Sequence, residues 1–269
     1  MPQRGEKAVN MARHIRSRDN ERIKRAVRLA SSSAARRQRG AFFASSSKVV
    51  RDLLDAGFVP EEIFIRREKV LEADRILDRW DPVTFTVSPA AESKLSDSPT
   101  DDGFYAVFRM PERNEKGYLS ADRLMVLCDI QDPGNVGAVM RCALALGYDH
   151  VILTRGCADI YSPKVIRSSM TASVKLDCYR VTDALRLTDS LNAHGFTTVA
   201  ACLEGAEILG ERELEGPLAV FIGNEGNGLP DEVIAGCAAK VKIPMSDRID
   251  SLNAAVSRRI LMWELRKKD

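Results

Sequence analysis

The chain reads as an α/β protein: a C-terminal parallel-sheet domain preceded by a smaller α/β domain. Three observations predict this. Apolar runs of strand length recur through the second half, at Leu124–Cys128, His150–Thr154, Thr197–Cys202 and Leu218–Ile222. Helical patterns stand between them, and that alternation implies a parallel sheet covered on both faces. Three segments rich in Gly, Asn and Pro then follow apolar runs in fixed order: Asp129–Arg141 (DIQDPGNVGAVMR), Phe221–Leu229 (FIGNEGNGL) and Ile243–Asn253 (IPMSDRIDSLN). Open α/β sheets build their sites at strand ends followed by such loops. Three of them suggest one composite pocket.

The elements follow in order. Residues 1–18 read as a polar, basic arm. Asp19 and Asn20 offer a cap for a helix with Ile23, Ala26, Val27 and Ala30 on one face. Residues 31–40 read as a loop or frayed helix. Ser46 reads as the cap of a helix that buries Val49, Val50, Leu53 and Leu54 and ends at Gly57. Strands are expected at 63–65, 83–87 and 104–108, with helices at 72–80 and 90–95. This gives a small domain over 19–112 and a polar linker over 113–120. The second domain, 121–269, continues with a helix at 136–146 ended by Gly147. A helix is expected from Pro163, a position where proline is tolerated. A strand follows at 175–181, and a helix capped by Thr182 runs to His194. The last elements are a helix at 230–237, a strand at 241–243 and a final helix at 251–266.

Composition excludes several classes. Of 269 residues 45% are hydrophobic, enough for a real core. No apolar run approaches the ~18 residues of a membrane span, and the N-terminus lacks the apolar core of a signal peptide. Six cysteines are scattered without a Cys-x-x-Cys pair, and they read as reduced core or near-core residues of a cytoplasmic protein. Neither they nor the three histidines show metal-ligand spacing, so no metal is expected. Residues 1–40 hold 12 Lys/Arg against 3 Asp/Glu, a balance of +9 that leaves −7 on the remaining chain. A basic arm on a mildly acidic body points to a polyanion such as RNA. A solvated basic helix is the plainer alternative. A mitochondrial presequence is a third, which Glu6, Asp19 and Glu21 weigh against.

Each loop has its own chemistry. Pro133-Gly134 turns the chain sharply after a strand, and Asn135 then stands where a helix begins, free to cap it or face a ligand. Arg141 lies about 120° from Asn135 around that helix. Its apolar neighbours argue against a merely exposed arginine, although a surface role stays open. Gly223–Gly228 has the order Gly-x-x-Gly-x-Gly. That reverses the dinucleotide fingerprint, and no Gly-Lys-Ser/Thr phosphate loop is present. Glu225 in this loop is either a solvated acid or an anchor for a nearby arginine. Ser251 and Asn253 stand at the start of the final helix, as a cap and an amide in its first turn.

Taken together, the three segments closely resemble the SpoU/TrmH family of RNA ribose 2′-O-methyltransferases, of the SPOUT class, in order and spacing. Tyr161–Met170 resembles a further family segment on the substrate side. The N-terminal part is similar to the ribosomal-protein-like substrate-binding domain often found upstream. The resemblance covers about residues 19–266. It implies a trefoil knot made by the second and third segments, and S-adenosylmethionine bound there in a bent shape. Gly223, Ile243 and Leu252 would hold the cofactor through backbone groups, with Asn224 and Met245 adjacent. It also implies that Arg141 is the catalytic arginine, that Asn135 and Glu225 orient it, and that Ser251 and Asn253 complete the pocket. A guanidinium with pKa above about 12 rarely deprotonates, so an electrostatic role fits Arg141 better than that of a base. Arg167, and Arg37 and Arg39 in the basic N-terminal stretch, are expected RNA contacts. A homodimer without membrane attachment is implied, acting on RNA, ribosomal before transfer RNA.

Three departures from the family pattern stand out. Phe42–Ser47 lacks the usual Glu-Gly. Thr171 stands where glycine is usual. Arg258 and Arg259 fall in a final helix expected to carry small or apolar residues. A non-catalytic RNA-binding protein on the same fold is the second reading; its mark would be loss of Arg141, Glu225 or Asn253, and all three are present. An oxidoreductase is disfavoured by the reversed glycine order.

Overall fold

A computed structural model describes residues 13–267 except 74–75, 77–78, 97–100, 113–115, 204, 212–213, 247, 249–251 and 253. Two units emerge, one ending at Pro111 and also holding Tyr161–Pro163, the other formed by Glu112–Ile160 and the chain from Lys164 onward.

The N-terminal unit carries strands β1 (His14–Ile15), β2 (Ala41–Ser45), β3 (Pro60–Arg66), β4 (Thr84–Val87) and β5 (Phe104–Arg109) in the order β1-β4-β3-β5-β2. β1 and β3 run parallel to β4, and β5 is antiparallel to β2 and β3. Its helices are α1 (Glu21–Ser31), α2 (Ser33–Arg39), α3 (Ser47–Asp55) and α4 (Pro89–Leu95). Helix α1 starts where Asn20 accepts the Arg22 N–H at 2.9 Å, and it buries Ile23, Ala26 and Leu29 against Phe43, Phe64 and Tyr105.

Four expectations for this unit need correction. His14–Ile15 belongs to the sheet and not to a free arm, because it pairs with Thr86–Val87. Most of the stretch 31–40 is an ordered helix, Ser33–Arg39. Ser32 caps α2 and Gly40 ends it at φ 65°, while the buried Arg36 donates to the carbonyls of Leu29 at 2.6 Å and Ala30 at 3.0 Å, satisfying the end of α1. Arg67–Ala73 is a 3₁₀ segment, so the expected helix from Glu72 begins as something tighter; part of it lies outside the described residues. Ser46 stands before α3 but makes no capping bond. Asp102 caps instead, accepting from the Ser47 N–H at 2.8 Å and its hydroxyl at 2.6 Å.

The C-terminal unit carries β6 (Arg123–Leu127), β7 (His150–Thr154), β8 (Asp177–Val181), β9 (Thr197–Ala201), the two-residue β10 (Glu207–Ile208), β11 (Leu218–Ile222) and β12 (Ala239–Lys242). All are parallel, in the order β10-β12-β9-β11-β6-β7-β8. Its helices are α5 (Pro133–Ala145), α6 (Pro163–Ser168), α7 (Ala172–Lys175), α8 (Ala184–Ala193), α9 (Asp231–Gly236) and α10 (Ala254–Glu264). Asp183, not Thr182, caps α8. On one sheet face Leu124, Val126, Ile152 and Phe221 pack with Leu187, Leu191 and Val233 of α8 and α9. The alternate residues Met125 and Leu127 are also fully buried, so the second face is covered as well, as an all-parallel sheet requires. Helix α5 packs against α7 and α10. Gly137 lets α5 approach the end of α6 closely, because a Cβ there would meet the Ser168 Oγ at 1.9 Å. Thr171 sits at φ 65°, the left-handed region where glycine is favoured.

Candidate active site

The strands of the C-terminal unit all point their C-terminal ends the same way, and the three loops emerge there. In the first loop Asp132 is the cap of α5, accepting the Asn135 N–H at 2.8 Å, and Pro133 fills the first turn. Asn135 is therefore not the cap, and its side chain is released for another partner. Its Nδ2 donates to Oε1 of Glu225 at 2.9 Å. A second tie joins the same loops, from Nδ2 of Asn224 to the Asp129 carbonyl at 2.9 Å.

The second loop folds back on itself. Asn224 and Gly228 exchange two backbone hydrogen bonds of 3.1 and 3.0 Å, and Oδ1 of Asn224 accepts the Gly226 N–H at 2.8 Å. The reversal explains Gly223. A Cβ there would stand 2.1 Å from the Gly228 carbonyl carbon. The absence of a side chain at Gly223 is thus required by its own loop, whatever approaches from outside.

Glu225 sits at the tip, its side chain 33% exposed. It was expected to hold Arg141, and here the structure differs. The Glu225 partner is Arg258 of α10, whose Nη1 lies 2.6 Å from Oε1. That approach is close but off-axis, leaving Nη1 without an aligned hydrogen bond. Nη2 of the same guanidinium donates to the Gly223 carbonyl at 3.0 Å. Burial by itself would raise the Glu225 carboxyl, but Arg258 and the Asn135 amide hold it below its ordinary value. Arg141 is exposed, and among the described residues it has neither a hydrogen bond nor an ion pair. The reason is helical phase: α5 buries Val136, Gly137, Val139, Met140 and Ala143, and Arg141 falls outside that arc. Apolar sequence neighbours did not imply a buried side chain.

The third segment builds a cavity. Ile243, Met245 and Leu252 line a space of about 160 Å³ with Ala201, Cys202 and Leu261, at the C-terminal ends of β9 and β12. Full ligand pockets span about 300–1,000 Å³, so this space suits one apolar, planar part of a larger ligand. Three expected cofactor residues meet there, whereas Gly223 and Asn224 stand on the neighbouring loop. A larger cavity of about 610 Å³ touches Asp122, Arg123 and Leu218. Those residues mark the N-terminal ends of β6 and β11, the wrong side of a parallel sheet for a site. Ser251 and Asn253 lie outside the described residues. Arg167 is half-buried on α6, while Arg37 and Arg39 are exposed on α2 of the other unit. Arg39 lines a groove there with Arg25, Arg28 and Leu29. Sequence reasoning missed Arg258 as a site residue, although a charge among apolar helix positions was the available signal.

Comparison with known proteins gives concordant results. Residues 122–263 match the model of the SpoU rRNA Methylase family. The 23S rRNA (guanosine(2553)-2′-O)-methyltransferase RlmP of Bacillus subtilis is 27% identical over 255 residues, 94% of this chain and 99% of that protein. A solved RNA 2′-O ribose methyltransferase is similar with a TM-score of 0.77 and 30% identity, over 93% of this chain and 97% of that one. The SpoU methyltransferase AviRb from Streptomyces viridochromogenes, solved in complex with AdoMet, has a TM-score of 0.77 and 26% identity, over 91% and 97% of the two chains.

Proposed function

This chain belongs to the SpoU rRNA Methylase family, and from that premise we propose that it methylates a ribose 2′-hydroxyl of RNA, ribosomal RNA foremost, using S-adenosylmethionine. The observation that carries the reading is the meeting of Asn135, Glu225 and the Gly223 loop at the strand ends, on the same side of the sheet as the Ile243–Met245–Leu252 cavity.

The residues fit the cofactor. The apolar cavity suits an adenine ring, with Ile243, Met245 and Leu252 around it and Gly223 and Asn224 beside it. When bound, S-adenosylmethionine supplies an electrophilic sulfonium methyl. The protein must then orient the ribose oxygen and stabilise the charge it develops. A guanidinium is a fixed cation, so Arg141 acts on the oxygen electrostatically and holds the adjacent phosphate. Asn135 and Glu225 tie the first loop to the second. Ser251 and Asn253 complete the pocket by family resemblance. Holding oxygen and methyl in line supplies much of the acceleration.

The same reading assigns partners. Arg37, Arg39 and Arg167 contact RNA phosphates; for Arg39 the arginine-lined groove on α1 and α2 supports the reading. A second copy of the chain covers the apolar stripe of Val256, Ile260 and Trp263 on α10 with Leu144 on α5, which stand 42%, 37%, 56% and 39% exposed. The segment after β11 threads a trefoil knot, and the enzyme works in the cytoplasm. Among the described residues no helix is long and apolar enough to cross a membrane.

The test is transfer of a labelled methyl group from S-adenosylmethionine to unmodified ribosomal and transfer RNA, followed by alkaline digestion. Alkali cannot cut 3′ to a 2′-O-methylated ribose. Label in alkali-resistant dinucleotides from ribosomal RNA is the expected result. Label in single nucleotides would mean base methylation and sink the mechanism, and label in transfer RNA alone would reassign the substrate.

A further inference from the structure

Helix α10 places two arginines side by side and gives them opposite fates. Arg259 is exposed. Arg258 is 3% exposed and opens the buried stripe that continues through Leu261, Met262 and Leu265. A guanidinium in such a stripe is costly, because burying a charge costs more than an ion pair readily returns. A small or apolar residue would pack there without that cost. What Arg258 supplies instead is a link. It reaches the Gly223 carbonyl at 3.0 Å and the Glu225 carboxylate at 2.6 Å, so one side chain grips the loop at two residues. The same Oε1 accepts from Asn135 at 2.9 Å. The first loop, the second loop and the final helix therefore meet through one carboxylate.

We propose that Arg258 is a positioning residue of this site. Its guanidinium donates to the Gly223 carbonyl and neutralises the Glu225 carboxylate at close range, so that Glu225 can orient Asn135 while Arg141 keeps its whole charge for RNA. The motif pattern alone would pair Glu225 with Arg141; this chain supplies a second arginine for that task. A lysine could not replace it, because a point charge on a flexible stem cannot bridge two acceptors as a guanidinium does. The consequence for catalysis rests on the methyltransferase reading above; the clamp itself does not.

The experiment compares the full chain with Arg258→Met, Arg258→Lys, Glu225→Gln and the Arg258→Met/Glu225→Gln pair. Three quantities are read: hydrogen exchange of the 223–229 loop, affinity for S-adenosylhomocysteine by calorimetry, and methyl transfer to unmodified ribosomal RNA. Arg258→Met should speed loop exchange by about tenfold or more and slow methyl transfer about 10- to 100-fold. Arg258→Lys keeps the charge and should still fall below the wild type. Because both residues act through one contact, the losses in transfer should not multiply, and the double variant should be no slower than the slower single. Wild-type exchange and transfer in Arg258→Met would overturn the proposal, as would fully multiplicative losses. Should Arg258→Met not fold, Arg258→Lys and Glu225→Gln decide the matter by loop exchange. A wild-type protein that transfers no methyl would count against the methyltransferase reading, and loop exchange would still judge the clamp.

Discussion

In the N-terminal unit Glu62 and Glu92 are the buried members of their ion pairs, each 8% exposed, while their partners Arg22, Arg25 and Arg66 are 44%, 45% and 35% exposed. In the C-terminal unit the order is inverted: the Arg258 side chain is 4% exposed and Glu225 33%. The first arrangement sends positive charge toward solvent from acids buried on β3 (Glu62) and α4 (Glu92). The second roots the cation and presents the acid, where it can receive Asn135 at the edge of a site. The same two residue types thus leave the acid buried in one unit and the arginine buried in the other.

The largest effect expected from breaking this contrast is at Arg141, an exposed cation of the C-terminal unit. Arg141→Ala should lower methyl transfer by about 10³-fold, the scale of losing a donor to developing charge, while S-adenosylhomocysteine affinity measured by calorimetry stays nearly unchanged. Equal loss of both would make Arg141 structural. In the N-terminal unit the counterpart is Glu92→Ala. It strands Arg66 and removes the acceptor of the Tyr105 hydroxyl, 3.2 Å away. Because Arg66 is about a third exposed, the cost should be at the low end for a broken buried pair, about 2–3 kcal/mol in urea unfolding, with cofactor affinity untouched. An effect on cofactor affinity would break the division of roles.

Smaller effects sharpen the picture. Ser46 holds φ 84° and ψ 137°, a region natural to glycine, so Ser46→Gly should stabilise the protein by about 1 kcal/mol in the same unfolding experiment. A loss would mean the Ser46 side chain makes contacts that outweigh the relief. Smaller still is the response of the buried thiols to pH. Burial pushes Cys128 up to about 12 and Cys237 up to about 11. A thiol raised in the folded state keeps its proton when the unfolded chain has lost it. Stability should therefore fall as pH rises above the unfolded thiol value of about 8.5. Alkylation at pH 8 should spare both cysteines until the protein is denatured; ready labelling of either in the folded state would contradict their placement.

The sheet of the C-terminal unit was legible because its strands are continuous apolar runs, and the three loops because Gly, Asn and Pro punctuate them. The two-residue β10 was not, since so short an edge strand has no period. Nor was β1, because His14 and Ile15 lie in a stretch whose charge speaks louder than its pattern; only pairing with β4 orders them. Helix α2 was legible only as a loop or frayed helix, because its stability comes from Ser32, Gly40 and the buried Arg36, not from an apolar face. Within the site, the Ile243–Met245–Leu252 grouping was legible only through the family resemblance of the third segment, which by itself reads as a capped helix. The Glu225 partner was not, because a local motif reports loop chemistry, and Arg258 reaches that loop from 33 residues downstream, on a different element. Its oddity among apolar neighbours was visible; its direction was not.

The most direct test of this account is a crystal structure of the protein with S-adenosylhomocysteine. The account places the adenine in the cavity of Ile243, Met245 and Leu252, with Glu225 still paired to Arg258 and the Arg141 side chain free to reach an RNA. Ligand at the Asp122–Arg123 cavity, or a Glu225 carboxylate turned from Arg258 to Arg141, would contradict it.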